Sequence, residues 1–362
     1  MKKICVFCGK HPVSKTKEHI IPQWLIKMTG DANRKVNLGF DWNKQTMREF
    51  SFNQFTFPAC SICNSNFKLL EDATKEILIS MLNEEGLPGY AFSIFLSWLD
   101  KVRVGLWLGY QSLNANPLGI KPNFYIENRI DTADRMVLIY QSKERGKGIL
   151  FFNVENPFFF IKPSSFCLVV NQYYFLNVSC DFLFSRRLGL PFISNYRWNK
   201  EKAIICSPLD ALNDGKKHIY RPLFKKYLDK ISTAIYQPII NPLLFGHSFY
   251  KNDYVKKFFP NSETNIGRVL IEHHDKIDFY EDSGFIWRPE SSYDRDTITR
   301  TVFSSLRIFQ NLFVEEWSNI KMPRERGRVF KKITLMSDDY WEAIDSVLSQ
   351  NIVRDFKKIN KN

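Results

Sequence analysis

Along the chain, the rhythm of apolar and polar positions changes three times. From Asn64, the stretch NSNFKLLEDATKEILISMLNEEG sets Phe67, Leu70, Ala73, Ile77 and Met81 at three- and four-residue steps. That spacing predicts an amphipathic helix, closed by Gly86 and Pro88. A second helical pattern, FSIFLSWLDKVRVGLWLGY, covers 92–110. Its apolar positions are too many for one stripe, so it is expected between two layers. Over 122–206 the pattern becomes β-branched and aromatic: NFYIENRI, DRMVLIYQ, KGILFFNV, PFFFIKP and FCLVVNQYYFLNV, cut by polar or Pro-containing breaks. This is the spacing of a mostly antiparallel sheet. Helical periodicity returns over 222–246 and 300–320, the second with Val302, Leu306, Phe309, Phe313 and Trp317 on one face. A last helix, DDYWEAIDSVLSQNIVRDF, is expected to start behind Ser337 as its N-cap.

The expected class is therefore α+β. A small module over 1–85 is followed by a larger mixed region over 86–362, with an antiparallel sheet and C-terminal helices. The sequence shows no internal repeat, low-complexity segment or long linker, so the two parts are expected to pack together.

Composition supports a sizeable core: 44% of the 362 residues are hydrophobic and 15% aromatic. The formal charge of +13 favours a polyanionic partner, nucleic acid before an anionic membrane. A chain rich in Lys, Asn, Ile and Phe also reaches such a charge through base composition alone. The start, MKKICVFCGK, lacks the apolar core of a signal peptide. The most apolar later run, residues 166–178, is too short for a membrane helix and is interrupted by Asn171. A cytoplasmic location is expected. Seven cysteines, four of them in two C-x-x-C pairs, point to metal binding in a reducing compartment rather than to a disulfide framework.

The pairs are Cys5/Cys8 in CVFC and Cys60/Cys63 in CSIC, with 51 residues between them. Two thiolate pairs supply the four soft ligands of a tetrahedral Zn²⁺, and four thiolates leave no open coordination position, so the ion is expected to be structural. Between the knuckles lies EHIIP (18–22), and Asn64 directly follows the second.

CVFC, EHIIP and CSICN, in this order, resemble the HNH (ββα-metal) endonuclease family over roughly the first 72 to 85 residues. The resemblance implies a zinc-braced ββα-metal module that hydrolyses phosphodiesters. By position, His19 would be the general base, with Glu18 and Asn64 as ligands of a catalytic Mg²⁺ or Mn²⁺. Glu71 matches the Glu of a subgroup that follows C-x-x-C-N with an aromatic, here Phe67, and is a further candidate ligand; a solvated helix charge is the other reading. The chemistry suits the residue types. A neutral imidazole titrates near pH 7, and a hard cation takes oxygen ligands. This chain departs from the family pattern in three ways, one being that the Lys common a few residues after the helix Asn is out of register, with Phe67 in its place and Lys68 next. Glu18 stands where many members have Asp. The Asn that many carry about five residues before the second knuckle has its nearest counterpart in Asn53, seven before Cys60.

Lys10, Lys15 and Lys17 flank the motif, and residues 1–72 hold eleven Lys/Arg against six Asp/Glu. Phosphate contact and a plain solvated face are both open readings of that excess. His11 reads as a surface histidine. HHD (273–275) reads as an exposed turn, and PRERGRVFKK (323–332) and the weaker FSRR (184–187) as basic loop segments. DKVRVGLWL and NRIDTADR (128–135) look organised, without evident chemistry.

The expected function is a metal-dependent endonuclease acting on DNA, in a role such as defence against foreign DNA, with a homodimer or a protein partner engaged through the larger region. A non-catalytic zinc-containing nucleic-acid binder, or a partner-gated effector, is the alternative.

Overall fold

The computed structural model describes residues 4–12, 14–41, 46–113 and 125–188, then 190, 192–193, 196–197, 205–206, 212–213, 232–239, 257–259, 266–273, 276–279, 286–288, 291–318 and 324–349. The N-terminal part begins with strand β1 (Lys15–His19) and the short helix α1 (Gln23–Met28). A hairpin of β2 (Lys35–Asp41) and β3 (Thr46–Ser51) follows, then β4 (Thr56–Cys60) and helix α2 (Ser61–Leu82). β1 and β4 pair antiparallel, with Lys15 opposite Cys60 and His19 opposite Thr56. Two strands leading into a helix thus form the frame, with α1 and the hairpin inserted between the strands. Pro58 sits in β4, and a two-stranded ladder is all edge, which is where a residue without N–H is tolerated.

Helix α3 (Gly89–Leu113) opens the larger part. Then come β5 (Arg135–Ser142), β6 (Ile149–Phe152), α4 (Pro157–Ile161), β7 (Ser165–Val170), β8 (Tyr173–Ser179) and α5 (Leu183–Leu188). Farther on lie β9 (Thr233–Gln237), β10 (Leu270–His273), β11 (Lys276–Phe279), β12 (Ser291–Tyr293), α6 (Arg295–Ser318) and α7 (Arg324–Ser349). Eight strands make one sheet, in the order β11-β10-β9-β5-β8-β7-β6, with β12 running parallel to the end of β5. All the other pairings in it are antiparallel.

The central strands are apolar on both faces, because both faces are covered. Val137, Ile139, Phe166, Leu168, Tyr173 and Phe175 belong to the core shared with α3 and the N-terminal part. Met136, Leu138, Val169, Leu176 and Val178 face the core beneath α6 and α7. The first core runs without a break from Cys5 to Trp287, so the N-terminal part packs on the larger region through α3. Among the described residues, no helix is long and apolar enough to cross a membrane.

Several expectations are corrected. PFFFIKP forms helix α4, because Asn156 accepts a bond from the Phe158 N–H and Pro157 opens the first turn. FCLVVNQYYFLNV is two strands: Asn171, at φ 56°, turns the chain so that Val170 pairs with Tyr173. Of NFYIENRI, the described residues 125–130 form no strand, and 127–130 are a turn. Residues 233–237 are strand β9, while 222–231 and 240–246 lie outside the described residues. The last helix starts at Arg324, not behind Ser337, and absorbs the basic run. Ser337 is buried mid-helix, its hydroxyl 2.5 Å from Asn156 Oδ1 and 2.8 Å from Gln310 Oε1. A polar network joining α4, α6 and α7 is what it serves.

Two glycines one turn apart set how closely α3 approaches the N-terminal strands. A Cβ on Gly105 would stand 2.7 Å from Ile20 Cδ1, and one on Gly109 would stand 2.8 Å from Phe55 Cζ. Gly105→Leu is expected to destabilise the protein by about 1–3 kcal/mol through overpacking, read as a lower denaturant midpoint. An unchanged midpoint would show that α3 has room to give.

Candidate functional site

The cysteine cluster is built by two turns. Cys5–Cys8 form the first: the Gly9 N–H donates to Cys5 O at 3.0 Å and the Cys5 N–H to Lys10 O at 2.9 Å. Gly9 has φ 71°, a left-handed conformation that favours glycine, and a Cβ there would meet the Tyr125 ring at 2.3 Å. The second turn is the junction of β4 and α2. The Val6 N–H donates to Pro58 O at 2.9 Å, tying the two turns together. All four Sγ atoms lie within 4.8 Å of one another, and Cys8 and Cys60 are 3.8 Å apart. Tetrahedral Zn²⁺ at about 2.3 Å from each sulfur needs S···S near 3.8 Å, so the donor set suits zinc in kind and in spacing.

Burial, then hydrogen bonds and charge from neighbouring cysteines, push the Cys60 thiol up to about 11 and the Cys63 thiol higher still. Burial also raises Cys5, but backbone bonds around Cys8, Cys60 and Phe7 outweigh it and hold that thiol below its usual value. One of these bonds is the Cys60 N–H, 3.2 Å from Cys5 Sγ. Four crowded thiols shed their protons together only when a cation takes up the charge.

Strand β1 sorts the other candidates by alternation. Lys15, Lys17 and His19 share one face, the two lysines exposed and His19 half-buried. Thr16 and Glu18 share the other, toward α2. Ile20 and Ile21, fully buried, anchor the strand end, and Pro22 starts α1. Gln23 Nε2 lies 3.4 Å from His19 Nε2, so with the hydrogen on Nδ1 the imidazole is the acceptor. Helix α2 begins at Ser61 behind Cys60, which places Asn64 inside its first turn. The Asn64 side chain donates to Thr16 Oγ1 at 3.3 Å. The Asn53 side chain lies outside the described residues.

Glu18 and Glu71 meet at a residue the sequence reading passed over. Lys101, on α3 and fully buried, donates from Nζ to Glu18 Oε1 at 2.6 Å and also to Glu71 Oε1. Its ammonium stands 5.8 Å from the centre of the Phe7 ring, and Phe7 stacks on Phe67 at 4.2 Å. Burial disfavours the ammonium, but Glu71 and Glu18 together outweigh it and hold Lys101 above the usual lysine value. Glu71 goes up, because its burial outweighs Lys101. The structure therefore groups Glu18, Glu71 and Lys101 on the inner side, with Asn64 reaching the same strand face through Thr16. His19 lies with the lysines on the outer face. Among the described residues, the four cysteines are the one group of three or more His, Cys, Asp or Glu side chains close enough to hold a metal ion. As arranged, Glu18 and Glu71 do not suit a divalent cation, since one oxygen of each is already engaged by an ammonium.

The basic segments are placed too. His11 is exposed. Arg324, Arg328, Lys331 and Lys332 are exposed on the first half of α7. Arg186 and Arg187 of FSRR pair with Glu316 and Glu315 of α6. Of HHD, His273 ends β10, while 274–275 lie outside the described residues. DKVR and NRIDTADR supply a buried ionic network: Asp100 binds Arg103 at 2.7 Å and Arg135 at 3.3 Å, and Arg135 also pairs with Asp131.

No family model, no curated protein and no solved structure matches the chain.

Proposed function

We propose that the protein is an HNH-type endonuclease that hydrolyses DNA phosphodiesters, with His19 as the general base. The observation that carries the reading is the sequence order CVFC, EHIIP, CSICN realised as one braced unit. β1 bears His19, pairs with β4, and β4 runs into α2 bearing Asn64, all tied at one end by four clustered cysteines. Lys15 and Lys17 on the His19 face would draw phosphates to it. His19, in its neutral form, would take a proton from the attacking water, with Gln23 giving way at the imidazole. A hard divalent cation would stabilise charge on the phosphate and the departing oxygen, and Glu18, Asn64 and Glu71 would hold it only with Lys101 withdrawn from the two carboxylates. Defence against foreign DNA is one role such an enzyme would serve, beside those of a toxin-like effector or mobile-element processing.

A second reading is favoured by one observation. Because Lys101 engages both Glu18 and Glu71, the same unit would serve as a zinc-containing nucleic-acid binder without catalysis, or as an effector gated by a partner. Plasmid nicking in Mg²⁺ or Mn²⁺ separates the two. His19→Ala is expected to lower the cutting rate by at least about 100-fold, with zinc content and circular dichroism unchanged. Equal cutting by wild type and variant would remove the nuclease assignment, and no cutting by either would favour the second reading.

A further inference from the structure

The buried ammonium beside the motif invites a deeper reading of the same site. We propose that Lys101 is a tethered cation that occupies the divalent-ion position between Glu18 and Glu71, so that α3 latches the site and metal entry requires Lys101 to leave. This rests on the endonuclease reading only for its purpose, not for its chemistry.

Three observations carry it. Lys101 Nζ binds Oε1 of both carboxylates, the atoms a hard cation would seek. An ammonium and a divalent ion cannot share those oxygens, because at such separations their mutual repulsion persists even in a strongly polarisable surrounding. The carboxylates also come from separate elements, β1 and α2, while the ammonium comes from α3, in the larger region. Finally, Lys101 lies one helical turn before Gly105, which abuts Ile20, two residues beyond Glu18. A shift of α3 that withdraws the ammonium therefore also acts on the strand that carries Glu18 and His19. Any event that moves α3, such as a partner binding the larger region, would set whether the cation position is open.

The test measures Mn²⁺ binding to the full-length, zinc-loaded chain by the paramagnetic resonance signal of free Mn²⁺. The thiolate cluster favours zinc and does not compete for this hard ion. Lys101→Met is expected to bind one Mn²⁺ at least tenfold more tightly than wild type. Adding Glu18→Gln or Glu71→Gln should abolish the gain. Binding no tighter than wild type, or a gain that survives both Gln substitutions, overturns the proposal. Should Lys101→Met fail to fold, wild type supplies the answer through lysine acetylation read by mass spectrometry. Saturating Mn²⁺ is expected to raise labelling of Lys101 several-fold relative to Lys35, whose side chain is 74% exposed. Unchanged labelling overturns the latch. None of these readouts involves cleavage. A variant that gains Mn²⁺ but cuts no DNA defeats the nuclease reading alone, and a wild type that cuts DNA without Mn²⁺ moving Lys101 defeats the latch alone.

Discussion

Cys63→Ser is expected to empty the cysteine cluster and unfold the N-terminal part of the protein. Zinc measured by plasma mass spectrometry should fall from one per chain to near zero. Amide exchange over 5–28 and 56–70 should approach that of an unfolded chain, while the β7–β8 hairpin stays protected. Apart from its packing on α3, little besides the cluster closes this part. β1 and β4 form a two-stranded ladder, and a two-stranded ribbon is marginal in water. Structural Zn²⁺ sites contribute about 10–16 kcal/mol of apparent binding energy near pH 7, so losing a ligand removes a large share of the driving force. Acid should mimic the mutation. Metal binding displaces thiol protons, and burial holds the Cys60 thiol near 11 before the ion enters, so zinc is lost as pH falls. Retention of one zinc per chain by the serine variant would show that the cluster is not the brace.

Asp100→Asn is the second large effect, an expected loss of about 3–5 kcal/mol in denaturant unfolding. Asp100 is fully buried and is the shared anion of two buried guanidiniums, Arg103 and Arg135. Arg103 keeps only neutral partners without it, Pro163 O at 2.8 Å and Asn177 Oδ1. Arg135 keeps Asp131 and the Gln237 side chain. The substitution preserves shape and removes one negative charge, leaving the cluster of Asp100, Asp131, Arg103 and Arg135 with a net positive charge in a dry interior. Hydrogen bonding to an amide does not replace that charge. A loss below about 1 kcal/mol would mean that water reaches the cluster and screens it.

How much of this was legible in the sequence depended on how local the signal was. The C-x-x-C pairs announced the cysteine cluster because each turn is four residues long and the ligand chemistry is narrow. The α2, α3 and α6 patterns were readable because three- and four-residue steps are written within each helix. PFFFIKP reads as a strand because its aromatic run outweighs the Asn156–Pro157 start that decides its helix. Ser337 looked like a cap because the residue type favours caps, whereas its actual partners, Asn156 and Gln310, lie 181 and 27 residues away. The Lys101 node was invisible for the same reason. No local rule marks one lysine on a helix as buried when its partners stand 83 and 30 residues off. The candidate site therefore divides into a readable motif and an unreadable neighbour that changes what the motif's carboxylates are free to do.

The glycine pair on α3 bears on portability. Residues 1–85 look like a cassette that could be excised or grafted, yet the surface they need is supplied from outside. Gly105 and Gly109 leave room for Ile20 and Phe55, Tyr125 closes over Gly9, and Lys101 balances Glu18. A graft onto a host helix with ordinary side chains at those two places would seat the strands farther out and strand a buried carboxylate. Transplanting this unit therefore means carrying α3 and the segment around Tyr125 with it, and the natural cut lies well beyond the apparent boundary at residue 85.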